Sequence, residues 1–297
     1  MTKAGLKDFL RMTAGAVILL AVMLTVLHFQ GGPTPATQLA LKAKRIALVE
    51  QMRLALASAS ESEKSAVMAT SDEESQTFAD QARTNAATVE QARKQLEGLI
   101  EPRERNLFVQ FSQAFTDFQR VDKDLLTLSV KNTNVKAFNL AFGPAAAAVK
   151  EMDTALARLP TDDVNVLRFA DNARIAALRL QALLPPHIAE ESDQKEDELE
   201  AQMAKEDRDV RRSLDALSAL PSLVDNPSLK TARASYARFS ETRAQILKLS
   251  RENTNVRSLT ISLNQKRKAM FLCQDVLAAL KNAIEQEPIG HTPVNPR

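Results

Sequence analysis

The fold is decided by two closely similar segments, LLTLSVKNTNVKAFNL at Leu125–Leu140 and ILKLSRENTNVRSLTI at Ile246–Ile261. Ser129 in the first segment aligns with Ser250 in the second, an offset of 121 residues. The same offset aligns further positions, without a gap, over most of residues 37–284. Because this period is much longer than a solenoid repeat, it indicates duplication of a whole domain.

Each repeat unit has the pattern of four helices. In the first unit, residues 71–74 read Ser-Asp-Glu-Glu, a capping box that begins the second helix. Apolar side chains then recur every three or four residues along the third helix, which is the spacing of one buried helical face. These side chains are Phe108, Phe111, Phe115, Phe118, Val121, Leu125 and Leu128. Gly143-Pro144 predicts a kink in the fourth helix, whereas the second unit has Asn264-Gln265 there and is expected to run straight.

The composition excludes several classes of protein. The 297 residues include 7 glycines and no Trp, and glycine is what hairpins and phosphate-binding loops require. We therefore exclude β-rich folds, Rossmann domains and P-loops. The 39 basic and 37 acidic residues are balanced, so the chain lacks the charge of a nucleic-acid-binding protein. The single Cys273 forbids an intrachain disulfide, and we expect it to be a small buried apolar residue.

The N-terminal region predicts a membrane anchor. Residues 12–29 carry no formal charge and span about 27 Å as a helix, close to the thickness of a bilayer core. Lys3, Lys7 and Arg11 precede them, and this bias places the rest of the chain outside the cytoplasm. We favour an uncleaved anchor, and the alternative is a signal peptide cleaved near residues 34–36.

The sequence thus predicts an all-α protein, with an N-terminal transmembrane helix followed by two tandem up-down four-helix bundles. The predicted divisions are a cytoplasmic stub, anchor and linker (1–36), bundle 1 (37–159), bundle 2 (160–285) and a disordered tail (286–297). Only residues 160–163 separate the bundles. Because four residues reach about 14 Å at most, we predict bundles lying side by side, with end-to-end stacking as the alternative.

No catalytic motif occurs in the chain. The three histidines, His28, His187 and His291, fall in the predicted span, a Pro-flanked loop and the tail. Neither a zinc-binding motif nor a nucleophile elbow is present. We therefore expect neither an enzyme nor a protein with a cofactor or a metal.

A few residues are candidates for binding. Arg53 and Arg174 occupy matching positions on the two first helices and could hold a carboxylate, or could be ordinary surface arginines. Glu63 lies near an apolar stripe and is either a buried carboxylate with a polar partner or, as we expect, an exposed edge residue. The two corner motifs are expected to cap the fourth helices that they begin. They are Asn132, Thr133 and Asn134, and Asn253, Thr254 and Asn255.

The chain resembles the four-helix-bundle sensory domain of methyl-accepting chemotaxis receptors. The resemblance is carried by the basic N-terminus with its apolar run, by ASESEKSAV at residues 59–67, and by the corner at residues 128–134. It covers residues 1–159 and extends through the repeat to about residue 284. It implies an extracytoplasmic sensor that works as a dimer and binds small ligands directly or through binding proteins. The chain departs from that family in having no second membrane span and no cytoplasmic signalling hairpin.

The sequence therefore predicts a sensory or ligand-binding accessory module in signal transduction. Residues 12–29 are expected to anchor it in the bacterial inner membrane, and the bulk of the chain is expected to be periplasmic. The expected partners are a small-molecule ligand or an envelope protein, in a homodimer or with the two bundles forming a pseudo-dimer within one chain. The alternative is a structural protein whose bundles dock an envelope partner and bind no small molecule.

Overall fold

The computed structural model describes residues 34–288, and the described chain is all-helical. We name the helices α1 to α9 in chain order. Their bounds are Pro35–Met68 (α1), Asp72–Glu97 (α2), Arg105–Ser129 (α3), 133–156 (α4), Val164–Ala182 (α5), Leu184–Ala189 (α6), Asp193–Ser218 (α7), Pro227–Glu252 (α8) and 254–285 (α9). The all-α prediction is confirmed for this part of the chain.

Side-chain caps fix the starts of several helices. The Ser71 hydroxyl accepts the Glu74 backbone N–H at 3.1 Å, as the capping box predicts. At the start of α8, the Asn226 side chain accepts the N–H groups of Ser228 and Leu229. These bonds satisfy donors that have no partner inside the helix, so the sequence sets these boundaries locally.

The two repeat units exchange their fourth helices. Helix α9, from the second unit, packs on α1 and α3 of the first unit, and we call α1, α2, α3 and α9 bundle A. Helix α4, from the first unit, packs on α5 and α8, and we call α4 to α8 bundle B. The cores agree with these contacts, because Leu277 is buried with Phe111 of α3 and Leu156 is buried with Phe239 of α8. The predicted bundles 37–159 and 160–285 therefore do not match the observed packing.

The two bundles lie end to end. Helix α3 reaches their junction from bundle A and α4 leaves it into bundle B, while α8 and α9 make the return crossing. Arg45, Glu104 and Glu287 meet at the opposite end of bundle A. The short segment 160–163 joins α4 to α5 within bundle B, so it places no constraint on the distance between bundles. The side-by-side prediction is wrong for this reason.

Both fourth helices contain a π-helical turn at the same repeat position, Ala141–Ala145 in α4 and Ser262–Lys266 in α9. The second copy, which is predicted to run straight, therefore departs from regular α-helix at the same position as the first. A proline is not required for the turn, because the turn forms in α9 without one. A π-turn shared by two different local sequences indicates that their common packing environment produces it.

The predicted anchor at residues 12–29 lies outside the described residues. Within residues 34–288, no helix is sufficiently long and apolar to cross a bilayer. The first residues of the predicted disordered tail are held in place, because Lys42 Nζ donates to the Glu287 carbonyl at 2.8 Å and Arg45 pairs with the Glu287 carboxylate. Residues 289–297 lie beyond the described range.

Candidate functional site

The two corner motifs bind each other at the junction. Asn132 and Asn253 both adopt the left-handed conformation, with φ of 50° and 51°, which Asn tolerates better than most residues. The Thr133 N–H donates to the Thr254 hydroxyl at 3.2 Å, and the Thr254 N–H donates to the Thr133 hydroxyl at 3.1 Å. Each fourth helix is therefore capped by the other one.

The neighbouring asparagines repeat this reciprocal pattern. The Asn134 N–H donates to Asn255 Oδ1 and the Asn255 N–H donates to Asn134 Oδ1, both at 3.1 Å. The side chains of Asn132 and Asn253 make no capping bond to their own helices. The prediction that each motif caps the helix that it begins is therefore wrong. Each motif instead caps the other fourth helix, because the exchange brings the two corners together.

A groove of about 540 Å³ lies between α1 and the π-turn of α9, and we call it groove A. Its walls include Ala57 and Lys64 from α1 and Leu263, Arg267 and Phe271 from α9. Leu263 and Phe271 are more than half exposed. Its volume is within the range of small-molecule sites, and its two walls come from different repeat units.

Charged side chains are buried beneath groove A. Glu63 is fully buried, and neither carboxylate oxygen has a hydrogen-bond partner. Burial raises the pKa of Glu63, and the nearby Ser262 hydroxyl and Lys266 ammonium oppose this rise without cancelling it. The expectation that Glu63 is an exposed edge residue is wrong, since the chain at this point lies under the π-turn of α9.

Lys266 is the buried cation of the same cluster. Its ammonium pairs with the carboxylate of Asp122 on α3 and lies 3.3 Å from the centroid of the Phe118 ring. Burial lowers the pKa of Lys266, and Asp122 acts in the opposite direction. Because Lys266 is bonded to Asp122, the cluster has two carboxylates for one ammonium, and Glu63 is the one left unpaired.

The repeat places a second, smaller groove in bundle B, which we call groove B. It has a volume of about 250 Å³ and lies between α5 and the π-turn of α4. Each of its six lining residues is 121 positions from a lining residue of groove A. The residues are Ala141, Phe142, Leu178, Gln181, Ala182 and Pro185. Leu184 and Ala145 stand where groove A has Glu63 and Lys266, so the buried charges belong to one copy only.

The structure does not bring the two candidate arginines together. Arg53 is in bundle A and pairs with Glu50 at 3.1 Å on its own helix. Arg174 is in bundle B and pairs with Asp153 on α4 at 2.5 Å. Neither lines groove A or groove B, and the structure places both in surface ion pairs.

The structure contains a buried polar cluster around His187 that was not predicted from the sequence. This residue lies in α6 rather than in a loop and is fully buried, with Nδ1 2.8 Å from the Ser250 hydroxyl and Nε2 3.0 Å from Glu200. Arg251 donates to Glu200 at 2.8 Å and to Glu196. Burial raises the pKa of Glu196, and hydrogen bonding from Arg251 lowers the pKa of Glu200. This cluster supports the junction from the bundle B side.

A comparison of the two repeats could have found these residues. Glu63 aligns with Leu184, Lys266 with Ala145, and His187 with Ala66. A charged or titratable residue at a position that is apolar in the other copy has no role in the shared fold. Such positions are therefore candidates for a function specific to one bundle.

The chain matches no protein-family model, and no curated protein is significantly similar to it. Within residues 34–288 no three His, Cys, Asp or Glu side chains are grouped so that they could hold a metal ion. Groove A, with the buried charges beneath it, is the feature of the described chain that bears most directly on function.

Proposed function

We propose that the protein is a membrane-tethered extracytoplasmic sensory module that binds a small molecule in groove A. The observation that carries this proposal is the unpaired, fully buried carboxylate of Glu63 beneath a groove of about 540 Å³. An ionised carboxylate without a partner is costly to bury, and such sites are frequently functional. The resemblance to chemoreceptor sensory domains and the apolar run at residues 12–29 support the rest of the proposal.

The helix exchange supports a pseudo-dimer within one chain. Groove A is formed by α1 of the first unit and α9 of the second, so a ligand there would contact both units. Because α9 leads from the junction to the end of bundle A where α1 begins, ligand binding could change the position of α9 relative to the anchor. A separate signalling partner would then detect this displacement, and the protein would act as an accessory to it.

A thermal-shift screen of small metabolites on the full chain tests this function. A ligand that binds only the folded state raises the melting temperature. Leu263→Glu should abolish the shift given by a hit, whereas Phe142→Glu, the equivalent change in groove B, should leave it intact. A library without a hit, or a hit that is insensitive to Leu263→Glu, would refute groove A as the sensory site.

A second candidate function is docking of an envelope protein through bundle B. The rings of Phe138 and Phe142 are 4.3 Å apart and about half exposed, with exposed fractions of 48% and 56%. Exposed aromatic pairs of this kind are typical of protein interfaces. If docking is the function, Phe142→Glu should abolish chemical cross-linking to a partner and Leu263→Glu should not.

A further inference from the structure

The charges beneath groove A specify the chemistry of its ligand. Resting on the function proposed above, we infer that groove A binds a protonated amine attached to a small apolar body, with Glu63 as the counter-ion.

The charge balance of the buried cluster favours a cationic ligand. The buried cluster holds the carboxylates of Glu63 and Asp122 and the ammonium of Lys266, and Lys266 is bonded to Asp122. With all three groups ionised, the cluster carries one uncompensated negative charge. A ligand with one positive charge restores the balance, whereas an anionic ligand would add to the imbalance.

The hydrogen-bonding capacity of Glu63 also favours an amine. A carboxylate can only accept, and neither oxygen of Glu63 receives a hydrogen bond of normal geometry within the described part of the chain, although the Ser262 hydroxyl lies nearby. A protonated amine carries up to three donors, and charge-assisted bonds of this type are among the strongest in proteins. A neutral alcohol supplies one donor and no charge, so it should bind more weakly.

The groove walls define the remainder of the ligand. Ala57, Leu263 and Phe271 present apolar surface next to the carboxylate. The charged groups on the rim, Glu61, Lys64 and Arg267, are exposed to solvent and therefore screened. Arg267 also lies over the Phe271 ring at 5.5 Å. An alkyl or aryl amine therefore fits both the walls and the buried charge.

Groove B provides an internal comparison. It has the same position relative to its π-turn, but Leu184 replaces Glu63 and Ala145 replaces Lys266. A ligand attracted only by apolar surface would have similar sites in both grooves. A ligand attracted by the buried carboxylate would have a site in groove A alone.

The test uses n-butylammonium, n-butanol and butyrate as probes of equal apolar length on the full chain, with binding measured by titration calorimetry. We expect n-butylammonium to bind more tightly than n-butanol and butyrate not to bind. Glu63→Gln should weaken amine binding by about 10–100-fold, the loss of a charge-assisted hydrogen bond. Glu241→Gln, a charge-matched change at an exposed residue of α8 that lines neither groove, should change it less than about twofold.

The pH dependence gives an independent readout. Lys64 of α1, Asp122 of α3 and Lys266 of α9 are the charged groups that face Glu63. Since the amine binds the ionised carboxylate, its affinity for the wild-type chain should rise with pH and become flat in the Glu63→Gln variant.

The possible failures are distinguishable. Binding of n-butylammonium that Glu63→Gln leaves unchanged, or tighter binding of butyrate than of the amine, would overturn the inferred ligand class. Absence of binding by all three probes would overturn it as well. In each case a metabolite that stabilises the wild-type chain and not Leu263→Glu would still uphold groove A as the sensory site.

Discussion

Glu63 combines full burial with a carboxylate that accepts no hydrogen bond of normal geometry. Its folded pKa is raised by burial, so the folded state binds more protons than the unfolded state between the two pKa values. The free energy of unfolding therefore falls as the pH rises through this interval. We expect Glu63→Gln to remove this fall and to raise the free energy of unfolding at pH 8 by about 1–3 kcal/mol.

Urea unfolding at pH 5 and pH 8 measures this effect. Glu61→Gln is the matched control and should keep the wild-type pH dependence, because Glu61 is exposed. A Glu63→Gln variant whose stability falls with pH as steeply as that of the wild type would contradict the buried, raised-pKa carboxylate.

Arg45 is buried like Glu63, but its charge is paired with the carboxylates of Glu104 and Glu287. Its Nη1 atom donates to both oxygens of the buried Glu104 carboxylate, at 3.0 and 2.9 Å. Arg45→Ala would leave the buried Glu104 carboxylate with only the half-exposed Arg103, 3.6 Å away, so we expect it to cost up to about 3–5 kcal/mol in denaturant unfolding. Arg53→Ala, which removes a surface pair on the same helix, should cost no more than about 0.5 kcal/mol. Equal losses in the two variants would refute this assignment.

The burial of a side chain could be predicted from the sequence only where it depends on its own helix. The apolar stripe from Phe108 to Leu125 is buried as expected, because helical spacing determines which side chains share a face. The burial of Glu63 was not predictable from its own helix. It depends on α9, which covers it from more than 190 positions away in the chain.

At the scale of elements, helix positions and caps were predictable, but the partners of the fourth helices were not. The Ser71 side chain caps α2 as expected, since the Glu74 N–H that it accepts is local. The corner motifs have no local partner, and their side chains instead bind across the junction. The sequence of one unit does not contain the second corner, so it could not predict this capping partner.

The two corner threonines, Thr133 and Thr254, are predicted to be energetically coupled. Thr133→Val and Thr254→Val each remove a hydroxyl that accepts the N–H of the other helix. Because the two hydroxyls also lie 3.2 Å apart, a double-mutant cycle should show a coupling energy of about 0.5–3 kcal/mol in thermal or urea unfolding. Thr88→Val, which removes a hydroxyl bonded within its own helix, should show no coupling with either. Additive effects at Thr133 and Thr254 would refute reciprocal capping.

At the scale of the whole molecule, the exchange could not be inferred because the repeat makes both fourth helices compatible with both bundles. Leu156 and Leu277 occupy the same repeat position, and each is buried in the bundle of the other unit. Closed and exchanged arrangements therefore bury equivalent apolar faces, and composition and periodicity do not distinguish them. The contacts at the junction do, since reciprocal capping of α4 and α9 requires both corners to meet.

Zero-length cross-linking with a carbodiimide tests the exchange directly, because it joins lysines only to carboxylates that they touch. In the exchanged fold Lys281 of α9 lies 2.7 Å from Glu50 of α1, so mass spectrometry of the monomeric product should find these two residues joined. If each unit closed on itself, α9 would pack on α5 instead, and the repeat position equivalent to Glu50 is Asp171. Lys136 and Asp72, in contact at 2.8 Å within the first unit, provide a positive control for the reaction. A Lys281–Asp171 product in place of Lys281–Glu50 would refute the exchange, and groove A with it, since its two walls would then belong to different bundles.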